Sequence, residues 1–325
     1  ENVNPESWSE TPIETPGVKY WGMIQESFFE ALHSIDMSEY ELTEDDSGKL
    51  FVDILQNYFR FNTTDNCFMV WTGSRWTPDL WKLAERAASL TARTIQNKLS
   101  DMNPSSLKEA AAFVKHIRSS RGIRSILYFA LSDSRIVTSA EDFDSIHSAH
   151  LVNTPGGTYD IQKGILREHR RTDLLTKETS LTPDSTHTPK MFLDFLDKIT
   201  LSRKDLQEAL QRYLGSGCSG KSPKDKVAIF YGKGQNGKSV LLESVGDLLK
   251  DYSASLDIKY LSDTNQQSSG HTDELASLSG VRLCLSSESK KGVKLDEARI
   301  KKLTGGDSIP VSRKHGRTFQ MRGCF

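Results

Sequence analysis

The sequence has few cysteines, no long hydrophobic run and almost no net charge. Its four cysteines, Cys67, Cys218, Cys284 and Cys324, stand far apart without CxxC spacing, which argues against a zinc site or a disulfide framework and favours a reducing cytoplasm. No apolar stretch is long enough to cross a bilayer, and the amino terminus lacks the pattern of a signal peptide. We therefore expect no membrane association.

The near-zero net charge means that this protein cannot bind a polyanion through its overall charge. The chain has 42 Lys and Arg against 43 Asp and Glu, which gives a formal net charge of −1. Affinity for nucleic acid would therefore require a local basic surface. Hydrophobic residues make up 36% of the 325 residues, a composition typical of globular proteins, and the length suffices for two or three domains.

Histidine and tryptophan form no recognisable catalytic pattern in the first half of the chain. Trp71 and Trp76 flank a Thr-Gly turn in a short predicted hairpin, where packing in a hydrophobic core is the simpler interpretation. Four histidines lack the spacing of metal ligands, and we interpret them as structural or surface residues: His116, His147, His150 and His169.

Helical periodicity dominates residues 18–180. The predicted helical regions are residues 20–60, with a break at the acidic residues 39–46, residues 79–100, and residues 106–117, which open on the capping-box pattern Ser106 to Glu109. Gly and Pro punctuate residues 151–171 as in a turn-rich β segment. We therefore predict a mainly helical domain with a small β portion, preceded by a polar tail or linker at residues 1–17.

A stretch rich in Thr, Ser and Pro at residues 177–189 marks the predicted domain boundary. Two compact helices follow within residues 188–220, the second capped by Ser202 and ending at Leu214. Residues 221–325 then form the last predicted domain.

A nucleotide motif opens this last domain. Residues 232–239 match the pattern G-x-x-x-x-G-K-[ST], between an apolar run at residues 227–231 that predicts a buried parallel strand and a helical run at residues 240–249. Glycines let backbone N–H groups face the phosphates, Lys238 reaches the β- and γ-phosphates, and the Ser239 hydroxyl ligates Mg²⁺. The predicted ATP-binding residues are Gly232, Lys233, Gly234, Gln235, Asn236, Gly237, Lys238, Ser239 and Val240.

A second buried strand is predicted at residues 281–285, and Glu288 follows it. A carboxylate at this place in a P-loop motor polarises the attacking water or helps to hold Mg²⁺. Ser287 stands where many such ATPases carry another carboxylate, so magnesium ligation there is expected to run through water. Lys238 and Glu288 are therefore the predicted catalytic residues, and Ser239 and Glu288 the predicted metal ligands.

A basic segment follows at residues 290–317, with nine Lys or Arg against three acids, so that nine minus three leaves a local balance of +6. Short extended runs at residues 309–312 and 317–321 flank the tip Arg313-Lys314-His315-Gly316 and predict a hairpin. A basic tip can contact phosphates without regard to base sequence. A solvated charged face is the alternative, and the preceding nucleotide motif favours the nucleic-acid interpretation.

Together these motifs resemble the superfamily 3 helicases, and more closely the poxvirus-type and phage-type primase-helicases. The resemblance rests on the phosphate loop, the strand before Glu288, the run from Ile300 to Asp307 and the basic hairpin. Residues 71–76 and 151–169 are similar to the domain that precedes the helicase in those proteins, so the resemblance covers most of the chain.

The resemblance implies an α/β fold with an AAA+-like ATPase core at residues 221–325, ATP and Mg²⁺ as cofactors, and a homo-oligomeric ring, a hexamer, around single-stranded DNA. Residues 188–220 would form a helical collar for oligomerisation. The hairpin is also similar to that of the papillomavirus initiator helicase, which implies that Arg313, Lys314 and His315 contact the DNA backbone.

This family continues past the hairpin with a strand ending in a sensor Asn and with an arginine finger that acts on the neighbouring subunit. The sequence stops at Phe325, before either. We therefore expect a fragment or a truncated product that binds nucleotide but hydrolyses it poorly. A primase domain or partner is expected before Glu1, by resemblance only.

Three functions are compatible with these features. A replicative helicase segment, acting in the cytoplasm of a bacterial host or at a viral replication site, accounts for most of them. A nucleotide-binding scaffold or origin-binding module without turnover accounts for the same motifs. A small-molecule P-loop kinase would need a lid and a substrate pocket that the sequence does not indicate, and it would leave the basic hairpin unexplained.

Overall fold

Helices and short β-strands both contribute to the fold, as the sequence predicted. The computed structural model describes residues 15–102, 104, 106–220, 226–262, 270–287, 294–313 and 316–323. The chain divides into unit 1, which comprises residues 1–62, 67–72 and 77–138, and unit 2, which comprises residues 63–66, 73–76 and 139–325. In the described part of the chain, no helix combines the length and apolar character that a bilayer span requires.

Unit 1 is mainly helical, with one small mixed sheet. Its helices are α1 (Pro16–Leu32), α2 (Glu44–Leu55), α3 (Leu83–Asn97), α4 (Leu107–Ile117) and α5 (Ser120–Ala130). The strands β1 (Phe59–Asn62), β2 (Cys67–Trp71), β3 (Trp76–Pro78) and β4 (Val137–Thr138) form a sheet of order β3-β2-β1-β4. The predicted helical regions and the predicted hairpin are thus confirmed, and the side chains of Trp71 and Trp76 are buried.

The start of α2 departs from the predicted break at residues 39–46. The Thr43 side chain accepts a hydrogen bond from the backbone N–H of Asp46 at 3.1 Å, and three acidic residues lie in the first turn. Acidic side chains at a helix amino terminus are each stabilised by the helix dipole by about 0.3–1 kcal/mol. The end of the acidic stretch therefore begins a helix instead of separating two.

Unit 2 combines five helices with three small sheets in the described residues. Its helices are α6 (Lys190–Ile199), α7 (Lys204–Cys218), α8 (Lys238–Leu249), α9 (Gly270–Ala276) and α10 (Glu297–Thr304). Its strands are β5 (Leu151–Thr154), β6 (Gly157–Asp160), β7 (Ile165–Arg167), β8 (Ser253–Ser255), β9 (Leu283–Leu285), β10 (Ser308–Ser312) and β11 (Thr318–Arg322). β5, β6 and β7 form an antiparallel sheet, β8 pairs with β9 in parallel, and β10 pairs with β11 antiparallel. The predicted β segment and the predicted second hairpin are confirmed.

The β10–β11 hairpin packs one face into a core of unit 2. Ile309 pairs with Met321 and Val311 pairs with Phe319, and all four side chains are at most 5% exposed. Alternation of buried and exposed residues is what an antiparallel strand with one solvated face requires. The other buried residues of this core are Ala140, Leu256, Ala276, Leu278, Val281 and Leu303.

Arg282 joins three segments of unit 2. Its buried guanidinium donates to the carbonyl oxygens of Cys218, at the end of α7, and Leu151, at the start of β5, at 2.7 and 2.6 Å. It also lies over the Tyr252 ring, 4.4 Å from the ring centroid. The Tyr252 hydroxyl in turn accepts a hydrogen bond from the backbone N–H of Asn153 at 3.0 Å. These bonds hold the β5–β7 sheet in the same unit as β9.

Two boundaries differ from those expected from the sequence. The division between the units falls after Thr138 and not near residue 180, because long-range bonds hold the β5–β7 sheet in unit 2. Helix α7 runs to Cys218, past the predicted end at Leu214. Near that end, a Cβ on Gly217 would lie 3.3 Å from the carbonyl oxygen of Arg282, which precedes β9.

Two predicted helix caps are not formed. Ser202 has a left-handed φ of 59°, and α7 begins at Lys204 with Arg203 at its N-cap position. Ser106 occupies the N-cap position of α4, but its side chain makes no capping hydrogen bond. A capping side chain must reach the N–H groups of the first turn from extended backbone, and Ser202 lacks that backbone conformation.

Candidate nucleotide-binding site

The phosphate-loop motif lies at the amino terminus of α8. Gly237 is the N-cap residue, with φ 82° and ψ −1°, and Lys238 and Ser239 begin the first turn. No acidic residue lies in that turn, so the positive end of the helix dipole is not offset by a carboxylate there. Leu241 and Leu249 fix the helix in the interior, with side chains 2% and 3% exposed. The predicted helix after the loop is therefore confirmed.

The loop before α8 turns sharply. Gly234, Gln235 and Gly237 have φ values of 96°, 49° and 82°, and residues 232–236 are exposed. Left-handed residues close together direct successive N–H groups to one side of the chain and form a concave anion site. Gln235 adopts this conformation at a cost of roughly 1–2 kcal/mol, since only glycine enters it freely. The loop thus holds a strained shape of the kind found at ligand-binding sites.

Lys238, Asn236 and Gly232 meet inside the loop. Nζ of Lys238 donates a hydrogen bond to Oδ1 of Asn236 at 2.7 Å. A Cβ on Gly232 would lie 2.2 Å from Nδ2 of Asn236 and 3.4 Å from Nζ of Lys238. Gly232 therefore leaves room for the Asn236 carboxamide, with which any side chain at this position would clash. The Lys238 ammonium is held there by a neutral acceptor, which a phosphate oxygen could replace.

The end of α6 lies against Gly237 of the loop. A Cβ on Gly237 would lie 2.5 Å from Cγ2 of Ile199 and 3.3 Å from Cε2 of Phe195. Phe195 also contacts Phe192, with ring centroids 6.3 Å apart. Sequence reasoning did not single out these supporting residues, although apolar residues at spacings of three and four mark one helix face.

The apolar run before the loop is not a strand. Residues 226–232 have no regular secondary structure, and Val227, Ile229 and Tyr231 are 54%, 74% and 89% exposed. The predicted buried parallel strand is therefore wrong. A strand needs hydrogen-bonded neighbours, and among the described residues β9 forms a sheet with β8 alone.

β9 lies within the strand predicted at residues 281–285. It spans the last three of the five residues predicted to be strand and pairs in parallel with β8. Burial raises the pKa of the Cys284 thiol to about 11, which indicates apolar surroundings for the middle of this strand. Glu288, Lys314 and His315, three of the predicted site residues, lie outside the described residues.

The remaining residue of the predicted DNA contact, Arg313, is engaged within unit 2. Its guanidinium forms an ion pair with Asp65 and lies over the Phe319 ring, 5.4 Å from the ring centroid. Close by, the backbone N–H of Arg317 donates to the carbonyl oxygen of Thr64 at 3.3 Å. A DNA phosphate would therefore have to compete with the Asp65 carboxylate for Arg313.

Two stretches of the chain match known protein families. Residues 48–201 match the family described as D5 N terminal like, and residues 230–325 match a family of unknown function, DUF5906. The chain is also 29% identical over 164 residues to the protein named "Putative helicase L207/L206" of Acanthamoeba polyphaga mimivirus. That alignment covers 49% of this chain and 17% of the viral protein. The chain is thus similar to a D5 N-terminal-like domain and, over about half of its length, to a protein named as a putative viral helicase.

Proposed function

We propose that this chain is the nucleotide-binding part of an ATP-dependent replicative DNA helicase, a primase-helicase segment that works as a ring. The phosphate loop carries the proposal: its glycines and Lys238 lie at a helix terminus without acidic residues, and the Lys238 ammonium is bound there by the neutral Asn236 carboxamide. Backbone N–H groups and one ammonium at a helix amino terminus suit the phosphates of a nucleotide. The helicase name of the viral relative favours a DNA motor over other P-loop proteins.

Each residue of the loop has a distinct part in the proposed reaction. Lys238 would release the Asn236 carboxamide and bind β- and γ-phosphate oxygens instead. Its charge would then stabilise the negative charge that develops as the terminal phosphate is transferred. Ser239, exposed in the first turn of α8, would hold Mg²⁺, which neutralises part of the phosphate charge. Glu288 would orient the attacking water and accept its proton.

We also propose that the protein forms a homo-oligomeric ring, a hexamer, in which ATP hydrolysis between subunits moves the β10–β11 hairpins along single-stranded DNA. Lys314 and His315 would contact the DNA backbone. Arg313 would join them only when it leaves Asp65, since an ion-paired guanidinium offers little net charge to a phosphate.

The substitution Lys238→Ala tests the nucleotide site. Its affinity for a fluorescent ATP analogue with Mg²⁺ should fall by about tenfold or more, because a hydrogen bond to a charged group contributes about 1.5–3 kcal/mol. DNA-stimulated ATPase and the unwinding of a forked substrate should be lost, while some single-strand binding remains. Lys226→Ala, which removes the same charge from an exposed residue before the loop, is the matched control and should retain nucleotide affinity.

The outcomes separate the competing functions. Unchanged nucleotide affinity in Lys238→Ala would contradict the assignment of the loop. If the variant loses nucleotide but assembles on DNA as the unaltered protein does, and neither hydrolyses ATP, the protein is a nucleotide-binding scaffold or origin-binding module.

A further inference from the structure

Two consecutive helices of unit 1 carry exposed basic side chains. α4 ends at Ile117 and α5 begins at Ser120, so a two-residue turn joins them. Five exposed basic residues lie along these helices and their turn, and we call them the basic ridge: Lys108, Lys115, Arg118, Arg121 and Arg124.

Each helix holds its ridge residues opposite its buried face. On α5, Gly122, Ile126 and Ala130 are buried, and Arg121 and Arg124 lie about half a turn away around the helix axis. On α4, Ala110 and Ile117 are buried, and the exposed Lys108 and Lys115 lie on the opposite side of the helix. The packing of the two helices in unit 1 therefore turns all of these positive charges to solvent.

The ridge has one sign of charge. Residues 107–130 include five Lys or Arg and a single acid, Glu109, whereas the chain as a whole has 42 basic and 43 acidic residues. The ion pairs found among the described residues include none of the five ridge side chains. This local excess of five basic residues over one acid favours the binding of an anion.

Neutral acceptors hold two of the ridge arginines in place. Nη1 of Arg118 donates to Oε1 of Gln96 at 2.6 Å, and Nε of Arg124 donates to the carbonyl oxygen of Ser120 at 3.1 Å. These bonds orient each guanidinium without neutralising its charge, and a guanidinium has five N–H donors in total. The arginines are thus positioned and still able to bind an anion.

Glu44 is a carboxylate that interacts with one residue of the ridge. Its pKa is lowered, first by the hydrogen bond from His116 and to a smaller extent by the charge of Arg121. The ion pair of Glu44 is with His116. Glu44 therefore offsets part of the charge of Arg121 and leaves the other four ridge residues unpaired by it.

Two features favour single-stranded nucleic acid as the occupant of the ridge. Tyr128 follows Arg124 by one turn on the same face of α5 and is 72% exposed, and an exposed ring beside arginines offers a stacking surface to an unpaired base. The apolar face of α5, at Ile126 and Ala130, is buried. The helix therefore has no apolar face to insert into a membrane, as an interfacial helix requires.

We propose that the basic ridge binds the phosphate backbone of single-stranded nucleic acid and that Tyr128 stacks on a base. The amino terminus of α5 carries the positive end of the helix dipole, and no acidic residue lies in its first turn. Ser119 caps this terminus by accepting a hydrogen bond from the Gly122 N–H at 3.2 Å. This site lies within unit 1. It requires neither the nucleotide loop nor the β10–β11 hairpin.

The combined substitution Arg118→Gln, Arg121→Gln and Arg124→Gln tests the ridge. Binding of fluorescent oligo(dT) is measured without nucleotide over a series of salt concentrations. We expect affinity to fall by about tenfold or more at low salt. The slope of log affinity against log salt should shrink by about 2, since each phosphate contact on a single strand contributes about 0.7 to that slope.

The matched control removes three exposed basic residues of unit 1 that lie off the ridge, through Lys19→Gln, Lys82→Gln and Arg93→Gln. This variant should keep the slope of the unaltered protein. Equal losses in the two triple variants, or an unchanged slope in the ridge variant, would overturn the proposal. Loss of binding to phosphatidylserine vesicles with unchanged binding to oligo(dT) would overturn it in favour of a membrane surface.

Three further variants keep the test valid if the glutamine variant unfolds. Replacing the three ridge arginines by lysine keeps the charge, so the salt slope should remain. Tyr128→Ala should weaken oligo(dT) binding severalfold while Tyr128→Phe retains it, because stacking needs the ring and not the hydroxyl. Equal affinities for the Ala and Phe variants would remove Tyr128 from the site.

Discussion

At the residue scale, Gly237 decides whether the phosphate loop can form. Its φ of 82° belongs to the left-handed region, and the place of its missing Cβ is 2.5 Å from Ile199. The first constraint is conformational and the second is steric, so glycine meets two separate requirements at the same position.

Gly237→Ala is expected to lower the free energy of unfolding by about 2–5 kcal/mol, of which about 1–2 comes from the left-handed backbone and about 1–3 from overpacking against Ile199. Urea unfolding followed by fluorescence measures it. Gly164→Ala is the matched comparison: Gly164 has φ 68°, and no heavy atom lies within 4 Å of its missing Cβ. Gly164→Ala should therefore lower the free energy of unfolding only by the cost of the left-handed backbone, about 1–2 kcal/mol.

Adding Ile199→Ala to Gly237→Ala should recover part of the stability and of the nucleotide affinity, because it removes the steric conflict. Equal losses for the Gly237 and Gly164 variants would mean that the contact with α6 does not constrain the loop.

The reactivity of the Cys284 thiol reports how well the fold shields this residue. Burial raises the pKa of its thiol from the ordinary 9.0 to about 11. A raised pKa keeps the thiol protonated, so at pH 8 roughly a thousandth of it is thiolate, and the thiolate is the reactive form. We expect iodoacetamide to label Cys284 far more slowly in the folded protein than in urea, as measured by mass spectrometry of its peptide. Equal rates in both states would show that the fold does not shield the Cys284 thiol.

At the element scale, Arg282 connects β9 to α7 and to the β5–β7 sheet. Its guanidinium is bound by two carbonyl oxygens and stacked on Tyr252. Because all of these partners come from distant parts of the chain, one side chain holds together elements that sequence reasoning assigned to different domains.

Arg282→Met should lower the free energy of unfolding by about 2–6 kcal/mol, since it leaves one buried and one partly buried carbonyl oxygen without this donor, at about 1–3 kcal/mol each. The lost stacking on Tyr252 adds to this cost. Denaturant titration measures the change. Arg203→Met is the control: its ion pair with Asp205 is largely exposed, and such pairs contribute roughly 0–1 kcal/mol. Similar losses in both variants would contradict a joining role for Arg282.

At the scale of the whole molecule, unit 2 exposes large apolar side chains along residues 181–240. Met191, Leu201, Ile229 and Tyr231 are 87%, 84%, 74% and 89% exposed. A contiguous exposed apolar patch favours association. In the proposed ring a second copy of the chain would cover these side chains.

Met191→Ser combined with Leu201→Ser should therefore shift the protein from ring to monomer, as measured by mass photometry with Mg²⁺ and a slowly hydrolysed ATP analogue. Leu80→Ser, which alters a residue of unit 1 that is 78% exposed, should leave the assembly intact. A protein that stays monomeric at every nucleotide concentration would contradict the ring proposal itself.

Much of the local structure could be predicted from the sequence. The phosphate motif, the helix behind it and the hairpin at residues 308–322 depend on residue types within one or two turns or one strand pair. Periodicity and turn residues act over that range, so pattern and structure agree. The buried Trp71 and Trp76 followed from the same reasoning.

The tertiary structure decided what depends on residues far apart in the chain. The apolar run at residues 227–231 has the composition of a buried strand, but burial needs a neighbouring strand, and none of the described residues provides one. Arg313 is basic in the sequence, but its ion pair with Asp65 joins residues 248 positions apart. The basic ridge arises because helix packing buries one face of α4 and α5 and leaves the charged face outside. Composition and spacing thus set the elements, while long-range contacts set which side chains remain free to bind.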